Sequence, residues 1–284
     1  MKNLFTFVLT VLTSLTMMAD VSFSDKAVLL KLYKATNGDN WTTKWDLSSP
    51  VSTWYGIKLE GDKVVSISLA DNNLVGEIPS EIVNLVNLQE LNLHKNGISG
   101  VIPSSLDNLK ELKVLDLSFN KLSGAIPVSI CEMDNLRNLE LYMNRLSGEL
   151  PAQIGKLQNL ETLALFNNEI EGQIPNSLYE AKALKILLLN SNKLNGELSA
   201  DISNLKSLEN LSLFENNMEG QVPFGLEKLN NLKEMNISYN MFSGLISKKL
   251  AVLDTLNMTM LNNDGAVVLM DVSLDIERPL VSED

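Results

Sequence analysis

The sequence predicts a repeat solenoid, in which copies of one short motif stack along a single axis. One asparagine recurs every 24 residues without a slip, an apolar-x-apolar pair precedes it in each copy, and a glycine follows it at a fixed distance. A constant period of this size is typical of solenoids, whose repeats each contact only their neighbours. The marker asparagines are Asn72, Asn96, Asn120, Asn144, Asn168, Asn192, Asn216 and Asn240.

The residues around each marker predict the path of the chain. In Leu91–Leu93 the alternation of period two predicts a short strand with both leucines inward and Asn92 outward. The marker asparagine follows at a bend, where its amide can pair with backbone groups that otherwise lack partners. We therefore interpret the asparagine ladder as structural. The glycine after each marker predicts a sharp turn. The apolar-proline pair that follows the glycine, such as Ile102-Pro103, predicts that the backbone is extended there.

The consensus LxxLxLxxNxLxGxIPxxLxxLxx resembles the plant-type leucine-rich repeats of receptor-kinase ectodomains and polygalacturonase-inhibiting proteins, over residues 63 to about 255. The resemblance implies an α/β repeat solenoid, a right-handed superhelix with a parallel sheet on its concave side. It also implies short second strands and 3-10 turns on the convex side. Ser199 and Ser247 replace the proline in two repeats and leave the convex geometry there open.

Residues 20–62 are predicted to form a helical N-terminal cap. Ser24 and Asp25 are candidate caps of a helix that runs to about Ala35. The segment around Trp54 and Gly56 resembles the cap that precedes plant-type repeats, although the paired cysteines of that cap are missing. We expect large aromatic side chains to supply the packing instead. These are Trp41, Trp45, Trp54 and Tyr55.

The motif decays after the eighth repeat. Residues 63–255 are assigned to the repeats, and residues 256–284 to a degenerate C-terminal cap followed by an acidic tail. Asp264 stands where a ninth repeat would place its asparagine. Cys131 is the only cysteine, so no disulfide within the chain can form. We expect its side chain to be half-buried on the convex side as a small apolar group.

Composition and the first residues bear on location and partners. Asp and Glu outnumber Lys and Arg by 35 to 23, which disfavours nucleic acid as a partner, and no basic stretch suggests membrane docking. The basic Lys2, the apolar run from Leu4 to Met18 and the small Ala19 predict a signal peptide over residues 1–19. The alternative is a membrane anchor, which needs about 20 apolar residues. We expect a secreted protein without stable membrane insertion, extracellular or at the cell surface, with the periplasm as an alternative.

The residues that flank the inward leucines are predicted to face solvent on the concave side and to carry the function. An apolar and aromatic field runs through the middle of the array and continues to the eighth repeat. Exposed aromatic residues are typical binding anchors. The alternative is that these residues only pack against the neighbouring coil. The field consists of Phe119, Tyr142, Met143, Phe166, Ile186, Leu188, Phe214 and Tyr239.

A smaller polar group, Glu90, His94, Asp116 and Glu140, lies on the N-terminal side of this field. Asp116 and Glu140 occupy adjacent strands, about 5 Å apart at the backbone. Paired carboxylates can serve in catalysis or bind a cation. However, His94 is the only histidine, no G-x-S-x-G motif is present, and catalysis usually needs a closed pocket. We therefore expect no catalytic residue, cofactor or metal, and interpret the group as an acidic strip that orients a partner.

These patterns predict a binding module that recognises a protein or peptide through its concave face. The alternative is a glycan-binding adhesin, or an inhibitor of an extracellular polysaccharide-degrading enzyme. Glycosylation sequons begin at Asn40, Asn210, Asn236 and Asn257. The oligomeric state stays open.

Overall fold

The computed structural model describes residues 21–254, 256, 258–262 and 264–273. The predicted signal peptide and the acidic stretch from residue 274 lie outside these residues. Within the described part of the chain, no helix combines the length and the apolar character that crossing a membrane requires.

In the part of the chain that the structure describes, two α-helices, short 3-10 helices and a long series of short strands make up the fold. The helices are α1 (Phe23–Ala35) and α2 (Lys248–Ala251). The strands are β1 (Ile57–Glu60), β2 (Lys63–Ser68), β3 (Val75–Glu77), β4 (Glu90–Asn92), β5 (Gly97–Ser99), β6 (Val114–Asp116), β7 (Ser123–Gly124), β8 (Asn138–Glu140), β9 (Arg145–Glu149), β10 (Thr162–Ala164), β11 (Glu169–Gly172), β12 (Ile186–Leu188), β13 (Lys193–Glu197), β14 (Asn210–Ser212), β15 (Asn217–Gln221), β16 (Glu234–Asn236), β17 (Met241–Ser243), β18 (Leu245–Ser247), β19 (Thr259–Leu261), β20 (Val267–Leu269) and β21 (Asp271–Ser273).

Each repeat contributes one strand to a main sheet and a second strand to the flank. The main sheet has nine strands in the order β1-β2-β4-β6-β8-β10-β12-β14-β16, all parallel except β1 against β2. A six-stranded sheet, β17-β15-β13-β11-β9-β7, forms from the second strands. Seven 3-10 helices return the chain on the other side, at Ser80–Asn84, Leu106–Asn108, Val128–Glu132, Ile154–Lys156, Asn176–Glu180, Ala200–Asn204 and Phe224–Lys228. The predicted α/β solenoid, with its second strands and 3-10 turns, is confirmed.

The core is one continuous stripe between the sheets and the 3-10 helices. Most strands of the main sheet have a buried apolar centre between more exposed neighbours, as in Glu90-Leu91-Asn92. A single repeat leaves its inward leucines open on two sides, so each repeat depends on the one before and the one after it.

The marker asparagines join each repeat to the preceding one. The Asn144 amide nitrogen donates to the carbonyls of Leu117 and Leu141, both at 3.0 Å, and its oxygen accepts the Leu122 amide at 2.9 Å. Leu117 and Leu122 belong to the preceding repeat, on either side of its own marker. The same three bonds recur at Asn96, Asn120, Asn168, Asn192, Asn216 and Asn240.

The N-terminal cap closes the first repeat, but two residues differ from expectation. Ser22, not Ser24, caps α1, since its side chain accepts the Asp25 amide at 3.1 Å. Tyr55 is 48% exposed and lies outside the aromatic cluster, where Tyr33 takes its place. The sequence could not decide either point, because Ser22 and Ser24 are both good caps and Tyr33 and Tyr55 are both aromatic residues of the same segment. The buried cluster comprises Tyr33, Trp41, Trp45 and Trp54.

Asn72, the first marker, fastens the cap to the repeats. Its oxygen accepts the Thr43 amide at 2.6 Å and its nitrogen donates to the Thr43 carbonyl at 3.1 Å. The marker asparagine that joins two repeats elsewhere therefore joins the first repeat to the cap at this position.

The C-terminal end departs from the repeat register. Met235 in β16 bridges to Asp254, and the Met235 amide donates to the Leu253 carbonyl at 3.1 Å, so the segment after α2 covers the last edge of the main sheet. Asp264 lies in the turn of the β19–β20 hairpin, where Asn262 accepts its amide. Asp264 is therefore a turn residue rather than a ninth ladder position.

On the convex side, the burial of Cys131 differs from expectation, and the two serines that replace proline keep a helical turn. Cys131 is fully buried rather than half-buried, and burial raises the pKa of its thiol to about 11. Ser199 starts a 3-10 helix like those that follow proline, because its hydroxyl accepts the Asp201 amide. Ser247 caps α2 in the same way through the Leu250 amide.

We predict that Asn144→Ala lowers the free energy of unfolding by about 3 kcal/mol, because it leaves three backbone groups inside the coil without partners. Urea denaturation followed by circular dichroism measures the change. The matched control is Asn195→Ala, which removes the same atoms from an exposed position in β13. Equal losses in the two variants would contradict a structural role for the ladder.

Candidate functional site

Three rows of side chains cover the solvent side of the main sheet, which we call the concave face. In the strands from β4 to β16, the first row begins the strand, the second ends it, and the third follows two residues later. In β2 the first row is Ser66, two residues before the end of the strand. The rows are Ser66, Glu90, Val114, Asn138, Thr162, Ile186, Asn210 and Glu234; Ser68, Asn92, Asp116, Glu140, Ala164, Leu188, Ser212 and Asn236; and Ala70, His94, Ser118, Tyr142, Phe166, Asn190, Phe214 and Ser238.

Most of these side chains are partly exposed, but four are buried among their neighbours. Ser118 and Ser238 are 0% exposed, Ala164 is 3% exposed and Ser66 is 4% exposed. The concave face is therefore not uniformly available to a ligand, although register alone predicted it to be. Small side chains in a row of larger ones become covered, because adjacent strands place neighbours only about 4.8 Å away.

The aromatic field separates into two ring clusters. Tyr142 and Phe166 stack with their centroids 4.3 Å apart and their planes 9° from parallel. His94 lies 6.1 Å from Tyr142 and 6.1 Å from Phe119, at the edge of this stack. Farther along, Phe214 and Tyr239 meet edge to face.

Three residues of the field lie on a fourth row, immediately before the marker asparagines. Phe119, Met143 and Tyr239 have positive φ angles of 57°, 53° and 58° and are 43%, 36% and 37% exposed. The left-handed backbone is required at this bend in every repeat, since Lys95 and Glu215 also adopt it. The conformation thus belongs to the repeat rather than to a ligand site, while the exposed side chains remain available for contact.

A pocket of about 370 Å³ opens on the concave face next to the stacked rings. Phe166 and Leu188 form part of its apolar wall, Leu253 closes its C-terminal end, and amides and hydroxyls provide hydrogen-bonding groups. At this size the pocket accommodates one large side chain. The lining residues are Phe166, Leu188, Asn190, Asn210, Leu211, Ser212, Glu234, Met235, Asn236 and Leu253.

The sequence predicted Phe166 and Leu188 as ligand-binding residues but none of the other eight residues that line the pocket. Asn210 and Glu234 stand at the start of their strands and hydrogen bond to each other at 2.6 Å. Their row could have been found from the strand alternation. Leu253 could not, because it enters from the segment that has left the repeat register. Ile186, Phe214 and the other members of the predicted field do not line the pocket.

The polar group is joined by a buried serine. The Ser118 hydroxyl donates to Asp116 and lies 2.7 Å from Nδ1 of His94. Because the hydroxyl proton is used on Asp116, Nδ1 is the donor to Ser118. The serine thus bridges a histidine and a carboxylate and is itself covered, an arrangement that leaves no exposed hydroxyl to attack a substrate.

Asp116 and Glu140 are register partners on β6 and β8. Burial raises the pKa of Glu140, and the charge of Asp116 raises it further, whereas Asn138 and His94 lower it. Glu90, the fourth member, accepts a hydrogen bond from Ser66 at 2.9 Å instead. Among the described residues no group of three or more metal-ligating side chains is arranged to hold a metal ion.

Charges along the border of the face pair with one another. Glu161 binds Arg137 at 3.3 Å and Lys185 at 2.6 Å, and Glu209 binds Lys233 at 2.5 Å. In the three rows themselves the ionisable side chains are the carboxylates of Glu90, Asp116, Glu140 and Glu234 and the imidazole of His94, without a lysine or arginine. The face is therefore acidic.

Two family models match the chain. One, described as a leucine-rich repeat region, matches residues 104–261, and another, described as a leucine rich repeat, matches residues 62–122. The chain belongs to the leucine-rich repeat family, and its repeats are of the plant type found in receptor-kinase ectodomains. A probable leucine-rich repeat receptor-like protein kinase of Arabidopsis thaliana is 46% identical over 57 residues, 19% of this chain and 6% of that protein. The chain thus spans a small part of this relative.

Solved structures with the same fold include ligand complexes. The ectodomain of the receptor kinase GASSHO1/SCHENGEN3 from Arabidopsis thaliana, in complex with CASPARIAN STRIP INTEGRITY FACTOR 2, has a TM-score of 0.77 at 27% identity and covers 87% of this chain and 30% of its own. The plant peptide hormone receptor RGFR1 in complex with RGF2 has a TM-score of 0.64 at 32% identity and covers 73% and 32%.

We predict that Glu140→Gln stabilises the protein at pH 7 but not at pH 3. A carboxyl group whose pKa is raised on folding destabilises the folded state once pH exceeds its unfolded value of about 4.5. The advantage of the variant should appear as pH rises through that value and level off above the raised pKa. Thermal unfolding between pH 3 and pH 8 measures it, with the exposed Glu149→Gln as control. An equal advantage at all pH values would contradict this origin.

Proposed function

We propose that this protein is an extracellular binding module that recognises a peptide, or an extended segment of a protein, along its concave face. The observation that carries the proposal is the pocket beside the stacked Tyr142 and Phe166 rings. An apolar recess with a polar rim on an otherwise polar sheet is the form that binding anchors require.

The dimensions favour an extended ligand. The pocket accepts a single side chain, and the rows of the face continue from it across the preceding strands of the main sheet toward the N-terminal end. A peptide that lies along these rows contacts several repeats at once, while a compact small molecule would contact only the repeats around the pocket. The ring stack is only half-buried, so it keeps apolar surface that a ligand can cover.

The similar structures support the same ligand class. One is described as a peptide hormone receptor in complex with RGF2, and another as an ectodomain in complex with an integrity factor. This chain covers about a third of each of those chains, so the extension of peptide recognition to it is part of the proposal. The structures reported above give glycan binding no support.

Binding rather than catalysis follows from the same geometry. Ser118 is buried between His94 and Asp116, and the carboxylates beside it lie on an open sheet face rather than in a closed pocket. We further propose that residues 1–19 direct export, that residues 20–62 and 63–255 are the cap and the repeats, and that residues 256–284 are a degenerate C-terminal cap followed by an acidic tail. Extracellular location is in keeping with the receptor-kinase relatives.

Selection of peptides from a displayed random library on the purified protein tests the proposal. The protein is produced in a bacterial host, so that the sequons at Asn210 and Asn236 in the pocket carry no glycan. We predict that Ser212→Trp, which fills the pocket, weakens the selected peptides at least about tenfold. The matched control Ser147→Trp places the same ring on an exposed position of the flanking sheet and should leave binding unchanged.

Two outcomes would overturn the proposal. Peptides that bind both variants equally would place the ligand site outside the pocket. A failure to select any peptide, combined with glycan binding that Ser212→Trp abolishes, would replace peptide recognition by glycan recognition at the same face.

A further inference from the structure

The charge of the concave face restricts what its apolar pocket can receive. Asp116 and Glu140 lie side by side on β6 and β8, and Glu234 stands at the far wall of the pocket. The rows contain no lysine or arginine to neutralise them. Along the border, Arg137, Lys185 and Lys233 pair with Glu161 and Glu209, and Lys113 donates to Gln89. An acidic ligand would therefore be repelled, while a cationic one would gain charge complementarity.

The burial of Glu140 strengthens this preference. Its carboxyl group is half-buried beside another carboxylate, and no lysine or arginine of the rows faces it. A guanidinium or ammonium group placed above the pair would relieve the repulsion between the two carboxylates and supply the counter-charge that they lack. The relief adds to the contact energy itself, so the pair favours Arg or Lys over a neutral polar residue.

The strand spacing fixes the distance between the two contacts. The centre of the pocket lies at Leu211 and Ser212 on β14, which is three strands from Glu140 on β8. At about 4.8 Å per strand the separation is about 14 Å, and an extended peptide advances about 3.4 Å per residue, so about four residues span it. Side chains of an extended peptide alternate between its two faces. Residues i and i+4 both point at the sheet, whereas residues i and i+3 or i+5 do not.

Resting on the proposed function, we propose that the ligand is an extended cationic peptide. Its Arg or Lys binds above Asp116 and Glu140, and a bulky apolar side chain four residues away enters the pocket over Ser212, beside Leu188. The inference goes beyond peptide recognition as such, because it names the two anchor residues of the ligand and their separation. Either chain direction satisfies the geometry, since the two contacts lie on one line across the strands.

A pooled display experiment tests the inference. Five peptide libraries fix one Arg and one Phe at separations of two, three, four, five or six residues, in both orders, with all other positions random. They compete on the purified full chain, and sequencing gives the enrichment of each. We predict that separation four exceeds three and five by at least about tenfold, in line with the loss of one anchor contact. Separations two and six, which keep the facing but miss the distance, should fall between.

Variants assign each anchor. Glu140→Gln should lower the preference for Arg over citrulline, its neutral analogue, at least about threefold without changing the preference for Phe. Leu188→Asn should lower the preference for Phe without changing the preference for Arg over citrulline. The exposed Glu149→Gln and Val128→Asn serve as matched controls and should change neither preference.

The outcomes separate this inference from the proposed function. Peptides that Ser212→Trp rejects, but whose enrichment does not depend on separation or on Arg, would overturn the inference and leave peptide binding intact. Enrichment that Ser212→Trp does not affect would overturn both.

Discussion

The structure depends on one repeated interaction, the side-chain amide of each marker asparagine with the backbone of the preceding repeat. At Asn144 this amide pairs with groups on both sides of the preceding marker and with the carbonyl that ends its own strand. The bend that turns each repeat away from the main sheet would otherwise leave these groups without partners inside the coil. Because the bond joins neighbours, it also fixes the spacing between them, and the side chains of the concave face inherit that regular spacing.

Because different residues stabilise the fold and form the concave face, the residue types on that face can vary from repeat to repeat while the inward apolar residues and marker asparagines recur. Inward leucines and marker asparagines carry the stability, so the residues between them are free to form acidic, aromatic and apolar areas. The left-handed bend before each marker accepts phenylalanine, methionine, lysine and serine alike. A binding surface built in this way is broad and open, which suits the recognition of an extended chain better than the exclusion of water that most catalysis needs.

Much of the fold could be predicted from sequence because a solenoid is nearly one-dimensional. The constant period placed each strand, and the identity of Leu91 or Asn92 as inward or outward followed from alternation. The prediction was weaker where the period ends. Ser22 and Ser24 offer the same chemistry to the start of α1, and only the path of the chain decides between them. Leu253 reaches the pocket from a segment that no longer follows the register, so no pattern in the sequence could assign it.

Within the site, the sequence predicted which residues lie on the face but not which of their side chains contact one another. It named Phe166 and Leu188, yet the pocket depends on how the segment after α2 folds against β16. It also listed the aromatic residues as one field, whereas ring contacts depend on side-chain torsions, which divide them into the Tyr142–Phe166 stack and the Phe214–Tyr239 pair. The burial of Ser118 under its larger neighbours likewise follows from packing across three strands.

The central claim, that ligands bind on the concave face, is tested most directly by nuclear magnetic resonance of the protein with labelled Ile, Leu and Val methyl groups. A peptide recovered by selection is titrated into it. If ligands bind on the concave face, the methyl signals of Ile186, Leu188 and Leu253 shift, while those of Val75, Val101 and Val128, which are exposed on other surfaces, stay in place. Shifts confined to the second group would contradict the claim.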